Sequence, residues 1–102
     1  MADRTLPAAL TVAQVKENLH GLHPDWELVA DGTAIARRFG YKGFAKAVQM
    51  ANLAAWLGDK MAHHPDISFG WGYCVVRYTT HDIEGLAQAD FTCAQRLDEL
   101  VG

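Results

Sequence analysis

A chain of 102 residues, half of them apolar, is long enough for one compact core and too short for two, so a single domain over 1–102 is expected. Nine Lys and Arg against twelve Asp and Glu give a net charge of -3 with no basic run, which argues against a nucleic-acid or anionic-membrane surface and for a small, weakly charged ligand. No stretch approaches the roughly 20 apolar residues of a membrane-spanning helix, residues 1–10 carry no continuous apolar run, and Cys74 and Cys93 sit singly in apolar patterns, so the expectation is a cytoplasmic protein whose cysteines are buried hydrophobes rather than a disulfide.

In chain order, Thr11 followed three residues later by Gln14 has the form of a capping box, and Val12, Val15 and Leu19 continue at helical spacing to a stop before Gly21. Between 25 and 40, two apolar runs flank Asp31-Gly32, a dipeptide suited to positive φ, which predicts a β-hairpin. Residues 43–63 place Phe44, Ala47, Val48, Ala51, Ala54, Leu57 and Met61 at mixed three and four spacing before Pro65, the pattern of the longest helix, with Phe44 and Trp56 expected in the core. A short extended piece at 67–69 precedes 71–80, where Tyr73, Val75 and Arg77 alternate with Cys74, Val76 and Tyr78 as in a central strand. Leu86, Ala89, Cys93, Leu97 and Leu100 form the apolar stripe of a last helix. The predicted order is α-β-β-α-β(-β)-α, an α+β fold with three helices on one face of an antiparallel sheet of three to four strands.

Three histidines and two carboxylates gather between residues 59 and 90: Asp59, His63-His64, His81 and Asp90. Histidine exchanges protons near neutral pH, so three imidazoles in one short region point to proton transfer or metal binding. Pro65 disfavours helix at His64, which frees both rings at the end of the long helix. Asp59, four residues before His63, is expected to share its helix face and orient its ring. If the helix end and the strand end meet at one rim of the sheet, the three imidazoles converge. Taken singly, each histidine is more often structural than catalytic, and Asp90 has an ordinary structural explanation as a carboxylate at a helix start. His20 and His23, on either side of Gly21 near a helix end, need no function at all.

These residues resemble the signature of the pterin-4a-carbinolamine dehydratase family: an acidic residue, three spacers, His-His-Pro, an aromatic, nine spacers, His, then Asp. Asp59, His63-His64-Pro65, Trp71, His81 and Asp90 supply it, and Trp26, the strand through Ile35 and Phe39, Phe44, Thr80-His81-Asp82 and Gly85-Leu86 extend the likeness over nearly the whole chain. The resemblance implies a hydro-lyase without cofactor that converts 4a-hydroxytetrahydropterin to quinonoid dihydropterin and water, renewing the cofactor of an aromatic amino-acid hydroxylase. It implies His63 and His81 as the acid/base pair and His64 as a substrate holder. Asp59 would support His63 or contact the pterin, Asp90 would be a supporting or helix-start carboxylate, Trp26 or Trp71 would form an apolar wall for the pterin ring, with a place in the core an equal reading for Trp26 at its strand start, and the assembly would be a homodimer or homotetramer. The family more often has Glu where Asp59 stands and Tyr where Trp71 stands. Asp59 therefore reaches one methylene less far, and Trp71 exchanges a phenol for an indole N–H.

Two other classes of function compete. His63, His64, His81 and Asp59 offer enough ligands for zinc or iron, although adjacent histidines rarely reach one ion and no H-E-x-x-H spacing is present. A non-catalytic binding or assembly factor on the same fold is the second, and it would be most credible in a chain lacking the histidines.

Overall fold

Seven elements form in the computed structural model, which describes residues 8–102: α1 (Val12–His20), β1 (Glu27–Val29), β2 (Ala34–Gly40), α2 (Ala45–Met61), β3 (Asp66–Gly70), β4 (Tyr73–Tyr78) and α3 (Gln88–Val101). The order α-β-β-α-β-β-α is the expected α+β arrangement, with four antiparallel strands lying side by side as β1-β2-β4-β3. Thr11 and Gln14 close the capping box on α1, the Gln14 amide donating to Thr11 Oγ1 at 3.1 Å and the Thr11 amide to Gln14 Oε1 at 2.9 Å. The β1–β2 turn is made by Ala30, Asp31 and Gly32, all at positive φ, so the Asp-Gly signal locates a true chain reversal.

Strand alternation then decides which residues face the helices. On β2 and β4 the buried face carries Ile35, Arg37 and Phe39 opposite Tyr78, Val76 and Cys74, while Arg38, Val75 and Arg77 point to the other face. α2 lies against β3 and β4, and α3 packs against α2. Small residues make the close approach: the buried stripe of α2 is Ala47, Met50, Ala51, Ala54, Leu57 and Gly58. Trp56 and Phe44 lie off this stripe and are about half exposed, at 53% and 52%, so neither is the core residue that its sequence pattern suggests. Phe44 instead packs on Phe69, with ring centroids 6.2 Å apart.

The stripe of α3 is also rotated from the expected one. Ala89 and Leu100 face outward, and the buried positions are Asp90, Phe91, Cys93, Ala94 and Leu97. The rotation follows from burying Asp90, a carboxylate that hydropathy alone assigns to solvent. Asp98, two turns further on, clamps α3 to the sheet: its Oδ1 accepts from Trp26 Nε1 at 2.8 Å and from Arg37 Nη1 at 2.6 Å, and its Oδ2 from the His23 amide at 3.0 Å. Among the described residues, no helix is long and apolar enough to cross a membrane.

Both cysteines are buried and unpaired, as their sequence context implies. Burial pushes the Cys93 thiol up to about 11 from its ordinary 9.0, with the nearby Asp90 charge adding to the effect. Burial likewise raises the Tyr78 phenol, whose hydroxyl meets no partner. The unfolded chain releases these protons at lower pH than the folded one, so the folded state holds more protons and loses stability as pH rises. Urea midpoints should therefore fall between pH 9 and 11, and the fall should be shallower in a Cys93→Ala, Tyr78→Phe double variant. An unchanged slope in that variant would assign the alkaline loss to other groups.

Candidate active site

The site begins with the way α2 ends. Ala62 adopts a left-handed conformation, φ 52°, and two hydrogen bonds close the helix behind it: the Ala62 amide to the Asp59 carbonyl at 3.3 Å and the His63 amide to the Gly58 carbonyl at 3.1 Å. This is a Schellman closure made with alanine in place of the usual glycine. It folds the His-His-Pro segment back over the last turn, where Pro65 lies on Gly58. A Cβ at Gly58 would stand 2.8 Å from Pro65 Cδ, so only glycine lets the chain return so closely.

The reversal separates the two adjacent imidazoles. His63 turns inward, its ring nearly parallel to that of Tyr78 at 14° with centroids 6.2 Å apart, and its Nε2 lies 2.6 Å from Asp90 Oδ1. Asp90 is wholly buried and fully engaged: its Oδ2 accepts from Thr80 Oγ1 at 2.7 Å and from the Ala87 amide at 2.9 Å. A carboxylate only accepts, so His63 Nε2 carries the hydrogen and Nδ1 is left as the ring nitrogen free to exchange a proton in the neutral form. Asp90 is thus both the helix-start carboxylate and the support of an imidazole, the two readings that its sequence position offers.

His64 turns outward. Its Nε2 lies 2.9 Å from Asp59 Oδ1, and both side chains are largely exposed. Asp59 therefore pairs with His64 and not with His63. The expectation of a shared helix face fails because the helix has already reversed at Ala62, and His63 no longer follows its spiral.

His81 lies just beyond the strand, opening a single 3-10 turn (His81–Ile83) after β4. Residues 80–85 form a closed loop: the Thr80 amide donates to the Gly85 carbonyl at 2.9 Å and the Gly85 amide to the Thr80 carbonyl at 3.4 Å, with Glu84 in a left-handed conformation turning the chain. The loop meets the end of α2, and together they form an open cleft of about 250 Å³ lined by Ala62, His63, His64, Thr79, Thr80, His81 and Asp82. All three histidines line it, on backbone fixed by helix closure, strand end and loop closure. Among the described residues, no three His, Cys, Asp or Glu side chains are grouped to hold a metal ion.

Neither Trp26 nor Trp71 belongs to this cleft. Trp26 is 3% exposed, with its indole committed to Asp98 and its ring against Tyr78, so it offers no open face to a pterin. Trp71 is well exposed in the β3–β4 turn. The register pairs Gly70 with Tyr73 at that end and Asp66 with Arg77 at the histidine end, so one strand length separates Trp71 from the imidazoles of its own chain. Sequence reasoning passed over Gly58, Thr80 and Asp82 as parts of the site. Only Thr80-His81-Asp82 carried a signal, as a family landmark, whereas Gly58 has none beyond being a glycine inside an apolar helix.

The two carboxylates should differ sharply on removal. Asp90→Ala strands a buried hydroxyl, an amide and an imidazole, and should lower unfolding free energy by about 3–5 kcal/mol. Asp59→Ala breaks an exposed pair and should cost less than about 1 kcal/mol. Urea denaturation at pH 7 measures both; equal losses would contradict the division of roles.

The sequence model of the family described as "Pterin 4 alpha carbinolamine dehydratase" matches residues 8–100. Over 94 residues the chain is 45% identical to a protein of Paracoccus denitrificans, an alignment covering 92% of this chain and 87% of the relative. It is 38% identical over 94 residues to a protein of Legionella pneumophila, covering 92% and 83%. Both relatives are named, provisionally, as pterin-4-alpha-carbinolamine dehydratases. Among solved structures, the transcriptional coactivator/pterin dehydratase of Brucella melitensis superposes with a TM-score of 0.83 at 28% identity, covering 93% of this chain and all of that one. A pterin dehydratase-like protein described as a RuBisCO assembly factor of the alpha-carboxysome shares the fold at 23% identity and a TM-score of 0.63, covering 78% and 93%. A family match spanning nearly every described residue, with the signature histidines gathered on one cleft, makes this chain a member of the pterin-4a-carbinolamine dehydratase family.

Proposed function

We propose that the cleft dehydrates a 4a-hydroxytetrahydropterin to quinonoid dihydropterin, in the cytoplasm, downstream of an aromatic amino-acid hydroxylase that releases the carbinolamine. The observation that carries this reading is the meeting of His63, His64 and His81 on one cleft, with His63 backed by a buried carboxylate. The reaction breaks the C4a–O bond and forms C4a=N5. The hydroxyl leaves as water by taking a proton from a general acid, and the N5 proton passes to a general base. No electrons are exchanged with the protein. One acid and one base suffice, and His63 and His81 stand on different elements around the cleft, as two groups serving two atoms of one substrate require.

His63 is the more firmly held of the two. Asp90 fixes its ring orientation and its tautomer, and Tyr78 lies parallel to it. His64, tethered to Asp59 at the rim, has the role of holding the substrate. Among the described residues β3 ends the sheet and leaves one edge unpaired, a surface on which a homodimer or homotetramer of the kind we propose would form.

The test is the absorbance decay of freshly generated 4a-hydroxytetrahydropterin, corrected for its uncatalysed loss. The wild-type protein should accelerate it, with or without chelator. His63→Ala and His81→Ala should each reduce the enzymatic rate by about 10²- to 10⁴-fold, with His64→Ala acting mainly through KM. Folded wild-type protein that gives no acceleration would sink the reading.

A further inference from the structure

We infer that a second copy of this chain pairs with the free edge of β3 and lays its Trp71 over the cleft, so that each site is completed by a tryptophan of the partner subunit. The assignment rests on the homo-oligomeric dehydratase reading above. The cleft of one chain lacks what a flat heterocycle needs: Ala62 is the only apolar side chain among the residues that line it, whereas pockets for such ligands are mostly apolar or aromatic. Trp71 has the converse character. It is 72% exposed, yet its turn is tied down at Gly72, whose carbonyl accepts from the Tyr41 amide at 2.9 Å and whose amide donates to the Gly43 carbonyl at 3.0 Å. An exposed indole on fixed backbone, one strand length from its own cleft, is placed to serve a neighbour.

The hydrogen-bond phase of the sheet fixes where the neighbour's indole arrives. The Tyr41–Gly72 bond shows that Gly72, and with it Cys74 and Val76, turn their backbone groups towards β2, so Tyr73, Val75 and Arg77 turn theirs towards β3. Their partners Gly70, Ser68 and Asp66 face inward, which leaves the N–H and C=O groups of Ile67 and Phe69 on the free edge. An antiparallel copy centred on Ser68 satisfies all of these groups, Ile67 pairing with the partner's Phe69 and Phe69 with the partner's Ile67. Asp66 then lies opposite the partner's Gly70, so no like charges meet. The half-exposed aromatic pair of Phe69 and Phe44 at this edge gains a neighbour. Slipping by one residue would set the two helix layers on opposite faces of the sheet. Slipping by two would pair Phe69 with Pro65, which has no N–H, or Ile67 with the turn. In the register centred on Ser68, Pro65 stands opposite the partner's Trp71. Residues so opposed lie about 5 Å apart, and the next along the strand stay within reach of an aromatic side chain, so the indole arrives beside His64 at the rim of the cleft.

Two experiments separate the interface from the chemistry. Ser68 faces its own copy as a non-hydrogen-bonded pair, a separation that a disulfide spans. With oxidised glutathione, Ser68→Cys should therefore give a covalent dimer on non-reducing electrophoresis, and Asp66→Cys should not; the native cysteines are both buried. A Ser68→Cys variant that stays unlinked overturns the register, whatever the protein catalyses. For the site, Trp71→Ala should raise KM for the carbinolamine about tenfold and Trp71→Phe should restore most of it, with the oligomer persisting in both. Trp71→Ala and His81→Ala subunits co-expressed in equal amounts make about half of the dimers mixed, each with one intact site, and at low substrate should turn over about fivefold faster than the mean of the two parents. A rate no higher than that mean puts Trp71 outside the neighbour's site and overturns the inference, leaving the dehydratase reading intact. A wild type that does not accelerate dehydration, although Ser68→Cys links, overturns the dehydratase reading and the role of Trp71 with it, and leaves the pairing of β3 standing.

Discussion

Asp90 accepts from the amide that opens α3, from the hydroxyl at the end of β4 and from the imidazole that follows α2, while its own side chain meets no solvent. A buried carboxylate is costly unless its oxygens are satisfied, and each partner here would be costly to bury without it. The arrangement is therefore all or nothing: helix, strand end and His63 hold one another in place. It also rotates the buried face of α3, because admitting Asp90 to the core brings Phe91 and Ala94 with it and turns Ala89 and Leu100 to solvent.

The end of α2 supplies the second constraint. The left-handed Ala62 and the bare face of Gly58 allow Pro65 to fold back, and that one reversal sends His63 into the molecule and His64 out of it. Two adjacent identical residues thereby acquire different partners, a buried carboxylate for one and an exposed carboxylate for the other. Magnitudes separate the pairs: an exposed ion pair is worth at most about 1 kcal/mol, whereas breaking a buried one costs about 3–5 kcal/mol. Asp90 is accordingly part of the framework, and Asp59 part of the rim.

Much of this was legible in the chain itself. The capping box at Thr11, the Asp31-Gly32 turn, the alternation through β4 and the proline after the longest helix are local signals, and local physics gives rise to each. The gathering of three histidines at one rim followed from placing them at the ends of neighbouring elements. What escaped depends on long-range contact. The pairing of His63 with Asp90 spans 27 residues, the hydrogen bond that commits the Trp26 indole spans 72, and the exposure of Trp56 follows from the rotation of α2 on the sheet. Spacing along a helix suggested Asp59 as the partner of His63, and a spacing rule has no force once the helix has ended.

In the functional account, an anchored imidazole and a second imidazole on a closed loop share two proton transfers, and the anchor determines which nitrogen is offered. The most direct test is long-range ¹⁵N–¹H NMR of the histidine side chains at a pH where His63 is neutral. The account predicts the Nε2–H tautomer for His63, with Nδ1 unprotonated, and loss of that preference in Asp90→Asn. An Nδ1–H tautomer in the wild-type protein would contradict it, because the hydrogen would then sit on the nitrogen that the cleft needs free.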